Sequence, residues 1–254
     1  MLQDLTIKEV QQFVNNQEKN QELIDLLLAD GRQGLKVLAN KIKREIQERV
    51  FYEQLWNYEK KYWEKGLTVI GLDEVGRGPL AGPVVAAAVA FAKIPDLLGL
   101  KDSKKLGEQA KEDLADKIKE QGLFYNISVI DNNVIDQINI LNASKLAMVN
   151  AVKGLGQAID LLLIDGNFTI DYPAEQIPVV KGDEKVGSIA AAAIIAKVYR
   201  DNYMLALHKK YPMYNFAKNK GYPTEEHYWA LKKYGPSPVH RITFKGVKEG
   251  LGGI

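Results

Sequence analysis

The sequence contains no cysteine and only three histidines in 254 residues. Without cysteine, disulfide scaffolds, thiol nucleophiles and cysteine-ligated zinc or iron–sulfur sites are excluded. His208, His227 and His240 share no spacing typical of metal ligands, so we expect each of them to be structural.

The sequence also lacks a long apolar run and a basic N-terminus. No apolar stretch reaches the length that spans a membrane, and Met1-Leu2-Gln3-Asp4 carries an acid where a signal peptide would be basic. We therefore expect a soluble cytoplasmic protein. Hydrophobic residues at 46% and charged residues at 26% are ordinary globular values, and the length predicts one main domain with an appendage.

The formal net charge of +2 conceals an uneven distribution. Residues 1–65 hold 11 basic and 11 acidic side chains, residues 66–180 hold 10 and 15, and residues 181–254 hold 13 and 6. An acidic region beside a basic one suits a metal-dependent enzyme that acts on a polyanion. Chance patterning on a solvated surface would give the same counts.

The first 65 residues have helical periodicity. Thr6-Ile7-Lys8-Glu9 has the form of a capping box, and Asn20 is suited to cap a second helix. From Gln33 onward, apolar residues recur every three to five positions, which predicts one long helix that ends at Gly66. We expect residues 1–65 to form a small helical domain without catalytic groups.

The pattern changes after Gly66. Residues 67–72, 84–91 and 123–130 have β-type patterns, and the runs at 161–164 and 177–180 are apolar enough for central strands covered on both faces. Residues 104–119, 133–155 and 187–196 have helical patterns. Neighbouring strands followed by alternating strands and helices predict a mixed-sheet α/β domain.

Acidic residues follow three of these predicted strands. Asp73-Glu74 follows the first, Asp165 follows the run 161–164, and Asp183 follows the run 177–180. Ligands of open α/β sheets collect at the carboxyl ends of strands, where four carboxylates would need divalent cations between them. The pattern favours a two-metal phosphoryl-transfer site, although an aspartate after a strand is also a common turn former or helix cap. No Asp-x-Asp-x-Asp-Gly calcium loop is present.

The segment 76–83, Gly-Arg-Gly-Pro-Leu-Ala-Gly-Pro, lies between the first two predicted strands. Glycines beside Arg77 would let main-chain N–H groups and a guanidinium approach a phosphate or a sugar hydroxyl. The segment is neither a Walker loop nor a dinucleotide fingerprint, and a plain β-turn explains it as well.

Several motifs occur together in this chain. They are Gly71 to Val85, Asp102-Ser103-Lys104-Lys105-Leu106, Asp165-Gly166-Asn167, Lys181-Gly182-Asp183, Ser188 to Ala192, Ala196 to Asp201, Gly221-Tyr222-Pro223-Thr224 and His240-Arg241. In these motifs and their order, residues 66–245 resemble the type 2 ribonuclease H family, and within it bacterial ribonuclease HII. Ala193 departs from the family pattern, in which we expect serine, and we expect that change to affect packing more than chemistry.

The resemblance implies a ribonuclease H-like mixed five-stranded sheet flanked by helices, with a small all-helical N-terminal domain and a helical C-terminal region. The catalytic domain would comprise residues 66–254. The implied activity is cleavage of RNA in RNA–DNA hybrids and incision 5′ of ribonucleotides embedded in duplex DNA, which leaves a 3′-hydroxyl and a 5′-phosphate. We expect a monomer that binds nucleic acid.

The resemblance also assigns roles to residues. Asp73, Glu74, Asp165 and Asp183 would hold two Mn²⁺ or Mg²⁺ ions around the scissile phosphate. Substrate contacts are expected from Gly76, Arg77, Gly78, Lys104, Lys105, Lys181, Ser188 and Tyr222. Of these, Gly76, Arg77 and Gly78 would recognise the ribose 2′-hydroxyl, and Tyr222 would pack on the next deoxyribose.

Two other functions remain compatible with the residues. The sheet could belong to a different metal-dependent nuclease or an integrase-like domain, which would cleave DNA that lacks ribonucleotides. A catalytically silent nucleic-acid-binding module is the third possibility, although every expected carboxylate is present.

Overall fold

The computed structural model describes residues 2, 5–97, 99–100 and 106–248. The chain forms two compact units, Met1–Gln54 and Leu55–Ile254. Lys104 and Lys105, which the sequence nominates as phosphate contacts, lie outside the described residues.

The N-terminal unit consists of helices α1 (Ile7–Asn15), α2 (Gln21–Ala29) and α3 (Gln33–Gln54). The predicted capping box is present, because the Thr6 hydroxyl accepts from the Glu9 N–H and the Glu9 carboxylate accepts from the Thr6 N–H. The Asn20 side chain caps α2 as expected. Apolar side chains of all three helices form one core, which includes Val10, Leu27, Leu35 and Ile42.

The prediction of one long helix that ends at Gly66 is wrong. Helix α3 ends at Gln54, and a separate helix α4 spans Asn57–Trp63. Helix α4 belongs to the second unit. The Trp56 ring stacks on Trp63 and meets Phe91 edge-on, and the buried Glu59 carboxylate bonds to Ser188. The division after Gln54 therefore precedes the predicted boundary at residue 65.

The second unit is built on a mixed five-stranded sheet. Its strands are β1 (Val69–Val75), β2 (Val84–Ala90), β3 (Phe124–Ile130), β4 (Leu161–Asp165) and β5 (Glu175–Val179), in the spatial order β3-β2-β1-β4-β5. Strand β2 is antiparallel to both β1 and β3, whereas β4 is parallel to both β1 and β5. The predicted mixed sheet is confirmed.

Strand β5 differs from its prediction as a central strand covered on both faces. It lies at one edge of the sheet, and only Val179 in it is buried. Pro178 fits this position, because a proline cannot donate the ladder hydrogen bond that a central strand requires.

Helices cover the sheet. They are α5 (Glu108–Gln121), α6 (Asn132–Lys153), α7 (Gly187–Lys210), α8 (Phe216–Asn219) and α9 (Glu225–Tyr234). Helix α7 packs directly on β1 through small residues. A Cβ atom on Gly71 would lie 2.2 Å from the Ser188 carbonyl carbon, so only glycine permits this approach. Among the described helices, none is long and apolar enough to cross a membrane.

Candidate active site

The four predicted carboxylates lie at the carboxyl ends of three strands, on the same side of the sheet. Asp73 and Glu74 lie near the end of β1, and Asp165 is the last residue of β4. Asp183 lies in the short 3₁₀ turn Gly182–Glu184, just after β5. Because β4 is parallel to both β1 and β5, the carboxyl ends of the three strands meet at the same edge.

The carboxylates are close enough to perturb one another. Burial raises the pKa of Asp73 well above its usual value, and the charges of Asp165, Glu74 and Asp183 raise it further. Burial raises the pKa of Glu74 to about 7, against the opposing effect of Arg77. Burial is the largest cause of both shifts and like charges add to it, so a cation between the carboxylates would relieve the repulsion.

Main-chain donors and one arginine orient these side chains. Asp165 Oδ1 accepts the Gly182 N–H at 2.6 Å, and Asp73 Oδ1 accepts the Glu74 N–H at 2.6 Å. Glu74 Oε1 lies 3.2 Å from Arg77 Nη1. The other oxygen, Glu74 Oε2, is buried and has no hydrogen-bond partner among the described residues.

The donor chemistry fits hard divalent cations. All four side chains offer carboxylate oxygens, which Mg²⁺ and Mn²⁺ prefer, and the unpartnered Glu74 Oε2 is an oxygen that a cation would satisfy. Within the described ranges, no three Asp, Glu or His side chains converge closely enough in their present rotamers to hold one ion. Divalent ions such as Mg²⁺ are usually held by one or two carboxylates together with waters and substrate phosphates.

A cavity of about 340 Å³ opens beside the carboxylates. It is lined by Asp73, Glu74, Val75, Lys111, Asp183, Ala190, Ala193, Ile194 and Lys197. The two lysines were not among the predicted site residues. Lys197 Nζ pairs with Asp201 at 2.8 Å one turn further along α7. The sequence contains one sign of Lys197, because its spacing from Ala190 and Ala193 places all three on one face of a helix. That spacing indicates a site residue only once α7 is known to lie beside β1.

Ala193 also lines this cavity and is only partly buried. A hydroxyl at this position would border the carboxylates, and the expectation that the departure from serine affects packing more than chemistry stays a prediction. Ala193 lies beside Asp73 and Glu74 and not in the sealed interface of α7 with the sheet.

The predicted sugar-binding loop has one buried and two exposed members. Gly76 is buried with φ +95°, and a Cβ there would lie 2.7 Å from the Pro83 carbonyl oxygen. Arg77 and Gly78 are exposed. A Cβ on Gly78 would meet only the Tyr222 ring, 3.7 Å away, so the structure brings the loop and the predicted tyrosine together.

Ser188 and Lys181, the two other predicted substrate contacts, differ in burial. Ser188 is buried near the start of α7, where its N–H and its hydroxyl both donate to Glu59 Oε1 at 2.8 and 2.7 Å. Its hydroxyl is therefore engaged in packing and does not face a substrate. Lys181 is exposed and has a left-handed backbone conformation with φ 56° immediately before the Asp183 turn.

Two of the three histidines form a buried pair. His227 Nε2 and His240 Nε2 are 2.9 Å apart, and the Tyr214 and Phe216 rings pack around them. Burial lowers the pKa of both, and the pKa of His240 falls to about 4 with a further contribution from His227.

Comparison with known proteins gives a consistent result. The model of the family described as Ribonuclease HII matches residues 70–247, and that of the Ribonuclease HII N-terminal domain matches residues 6–63. A ribonuclease HII from Caldanaerobacter subterraneus is 52% identical over 80% of this chain and 83% of its own length. One from Lactobacillus gasseri is 44% identical over 96% of this chain and 99% of its own.

Solved structures show the same fold. The crystal structure of the ribonuclease H2 from Pyrococcus horikoshii OT3 has 27% sequence identity and a TM-score of 0.62. The match covers 72% of this chain and 97% of that one.

The sheet, its helical cover and these neighbours define a ribonuclease H-like protein, an endoribonuclease and hydrolase. Within that class, the chain belongs to the ribonuclease HII family. Enzymes of the ribonuclease H family act on RNA–DNA hybrids and generally use divalent metal ions.

Proposed function

We propose that this chain incises duplex DNA on the 5′ side of an embedded ribonucleotide and cleaves the RNA strand of RNA–DNA hybrids, in a reaction that requires Mg²⁺ or Mn²⁺. The products carry a 3′-hydroxyl and a 5′-phosphate. Such an enzyme serves in ribonucleotide removal and RNA primer processing. The supporting observation is the group of four mutually repelling carboxylates at the ends of three strands.

In this proposal Asp73, Glu74, Asp165 and Asp183 hold the cations. Two ions bound there would lower the pKa of the attacking water and stabilise the charge on the leaving 3′ oxygen. The protein provides the negative charge that retains the ions and fixes Asp165 through the Gly182 N–H. It also buries Asp73, and burial strengthens every charge interaction in the site.

In this proposal the loop between β1 and β2, residues 76–83, recognises the ribonucleotide. Arg77 and Gly78 are exposed, and Gly78 lies beside the Tyr222 ring, so we propose that one nucleotide contacts all three. The 2′-hydroxyl is the group that distinguishes RNA from DNA at a site, and main-chain N–H groups next to a glycine can approach it closely. Tyr222 would stack on the following deoxyribose.

Phosphate contacts complete the proposed substrate site. Lys181 is exposed beside Asp183, and Lys104 and Lys105 are proposed for the same role from the sequence alone. Such contacts position the nucleic acid without reading its sequence, and they make affinity depend on salt concentration. Ser188 is left out of this group because its hydroxyl bonds to Glu59.

One assay tests the proposal. A DNA duplex with a single ribonucleotide and the matched all-DNA duplex are incubated with the protein, with and without Mg²⁺ or Mn²⁺. We expect incision of the first duplex alone and only with metal. Cleavage of the all-DNA duplex would indicate the alternative nuclease or integrase-like activity, and binding without cleavage would indicate a silent binding module.

A further inference from the structure

Two arginines are completely buried in the second unit without an ion-pair partner among the described residues. They are Arg200, on α7, and Arg241, near the C-terminal end of the described chain. All the hydrogen bonds that their guanidinium groups donate within the described residues end on main-chain carbonyl oxygens. Burying a guanidinium group costs free energy unless hydrogen bonds compensate for the lost water, so we ask what these two groups hold in place.

Both guanidinium groups bond to the loop that joins β1 to β2. Arg241 donates to the carbonyl oxygens of Gly76 at 2.6 Å, Arg77 at 3.0 Å and Gly82 at 2.9 and 3.0 Å. Arg200 donates to those of Ala81 at 3.3 Å and Pro83 at 3.0 Å. The two side chains therefore hold both ends of segment 76–83 from its inner side.

The direction of these carbonyl groups determines what the loop presents outward. In a trans peptide the C=O and the following N–H point in opposite directions. The carbonyls of Gly76 and Arg77 point at Arg241, so the N–H groups of Arg77 and Gly78 point away from it. Within the described residues, neither of these N–H groups donates a hydrogen bond to the protein.

Arg200 also contacts the tyrosine beside the loop. The Arg200 guanidinium lies 5.8 Å from the centre of the Tyr222 ring, and its Nη1 donates to the Lys220 carbonyl at 3.0 Å. Arg200 thus links segment 76–83 to the segment that carries Tyr222. Burial and the charge of Arg200 lower the pKa of Arg241 to about 9, so this group stays charged at neutral pH. Burial also lowers the pKa of Arg200.

We propose that Arg200 and Arg241 are positioning residues for ribose recognition. Arg241 directs the Gly76 and Arg77 carbonyls inward and so presents the Arg77 and Gly78 N–H groups to the 2′-hydroxyl. Arg200 holds the other end of the loop and the segment that carries Tyr222. This inference rests on the proposed function, which supplies the ribonucleotide. Neither arginine touches the nucleotide. Their effect is the orientation of two peptide groups and of the Tyr222 ring.

The test replaces each arginine by lysine. A lysine ammonium is a point charge and cannot reproduce a planar fork that reaches several separated carbonyls. The matched control is Arg32→Lys, since Arg32 also donates to main-chain carbonyls, those of Leu2 and Leu5, but lies in the N-terminal unit. Arg200→Lys serves as the second variant if Arg241→Lys does not fold by circular dichroism.

Affinity is measured in an Asp165→Asn background, which we expect to bind without cleaving, for the single-ribonucleotide duplex and the all-DNA duplex. We expect Arg241→Lys to lower the ratio of the two affinities about fivefold or more and to leave all-DNA affinity nearly unchanged. Arg32→Lys should leave the ratio unchanged. An equal loss on both duplexes, or an unchanged ratio, would overturn the proposal.

Hydrogen exchange provides a readout independent of nucleic acid. We expect Arg241→Lys to increase amide exchange in segment 76–83 more than in β4, and Arg32→Lys to leave that segment unchanged. Unchanged exchange in the segment would refute the positioning role. If the wild-type protein fails to incise the single-ribonucleotide duplex with metal, the proposed function is wrong, and the exchange result then decides alone whether the arginines hold the loop.

Discussion

At the scale of single residues, the proposed chemistry depends on carboxyl groups whose burial opposes their ionisation. Asp73 and Glu74 are carboxylates held in a buried, negatively charged site, and burial is the largest cause of their raised pKa values. A cluster of buried carboxylates destabilises the folded protein when no cation is bound, so cation binding should raise the free energy of unfolding.

Asp165→Asn should abolish cleavage and yet stabilise the metal-free protein. The amide keeps the shape of the side chain but removes one negative charge, which the cations require and which raises the pKa of Asp73. We expect a loss of about a thousandfold or more in kcat, and a melting temperature about 2–4 °C higher without metal.

Asp171→Asn is the matched control for that change, because Asp171 is an exposed aspartate between β4 and β5. It should leave both quantities unchanged. Near wild-type turnover of Asp165→Asn in saturating Mg²⁺ would contradict the four-carboxylate site.

Gly76 and Gly78 should respond differently to added side chains. Gly76→Ala places a Cβ at φ +95° and 2.7 Å from the Pro83 carbonyl, so we expect it to destabilise the fold by about 1–3 kcal/mol or more. A Cβ on Gly78 would meet only the Tyr222 ring, and the residue is exposed, so Gly78→Val should keep the melting temperature but lose most activity because the side chain displaces the substrate. Thermal melts with parallel activity assays check this pair, and a strong destabilisation by Gly78→Val would show that the loop is packed differently.

Tyr222→Ala should impair junction substrates most. Packing of the ring on the sugar beyond the cleaved phosphate matters where RNA passes into DNA. The values of kcat/KM on an embedded single ribonucleotide and on a continuous RNA–DNA hybrid check this prediction. Equal losses on both substrates would leave the tyrosine with a packing role only.

At the scale of elements, the segment around α4 connects the N-terminal sequence to the catalytic sheet. Glu59 accepts from the N–H and the hydroxyl of Ser188, and the Gly187 N–H donates to the Leu55 carbonyl at 2.8 Å. The start of α7 is therefore held by residues that precede the sheet in sequence. Because Ser188 also packs against Gly71, these bonds support β1, the strand that carries Asp73.

Two truncated variants test whether the domain boundary lies after residue 54 or after residue 65. Removal of residues 1–54 should leave a folded metal-dependent nuclease, with any loss of affinity seen in KM more than in kcat. Removal of residues 1–65 also deletes Trp56, which is fully buried, and Glu59, and we expect it to cost more than about 3–5 kcal/mol. Urea unfolding of both variants checks this, and equal stability would show that α4 contributes nothing to the second unit.

The His227–His240 pair predicts a pH dependence of stability. The pKa of His240 is about 4 in the folded protein and 6.5 as the ordinary value, so the unfolded chain binds its proton first as the pH falls. The stabilising contribution is thus complete above pH 6.5 and is lost as the pH falls to about 4. The loss is on the order of 3 kcal/mol.

His240→Gln isolates that contribution. The free energy of unfolding of wild type minus that of the variant, measured by urea between pH 4 and 7.5, should decrease toward low pH. A difference independent of pH would contradict a neutral, buried His240.

At the scale of the whole molecule, the sequence predicts the sheet and its acidic edge but not the contacts between distant segments. The strand runs and the acids after them are local patterns, and the carboxyl ends of parallel strands bring such residues together. The break between α3 and α4 was missed because the apolar spacing continues through it. Ser188 and Arg241 were misjudged or missed because their partners lie more than 120 residues away along the chain.

Mapping of the cleavage site and the product ends on an end-labelled duplex with one ribonucleotide tests the central claim most directly. The proposed site predicts a single incision on the 5′ side of the ribonucleotide, only with Mg²⁺ or Mn²⁺, and a 3′-hydroxyl that a DNA polymerase can extend. Incision on the 3′ side, an end blocked by phosphate, or equal cutting of the all-DNA duplex would contradict it.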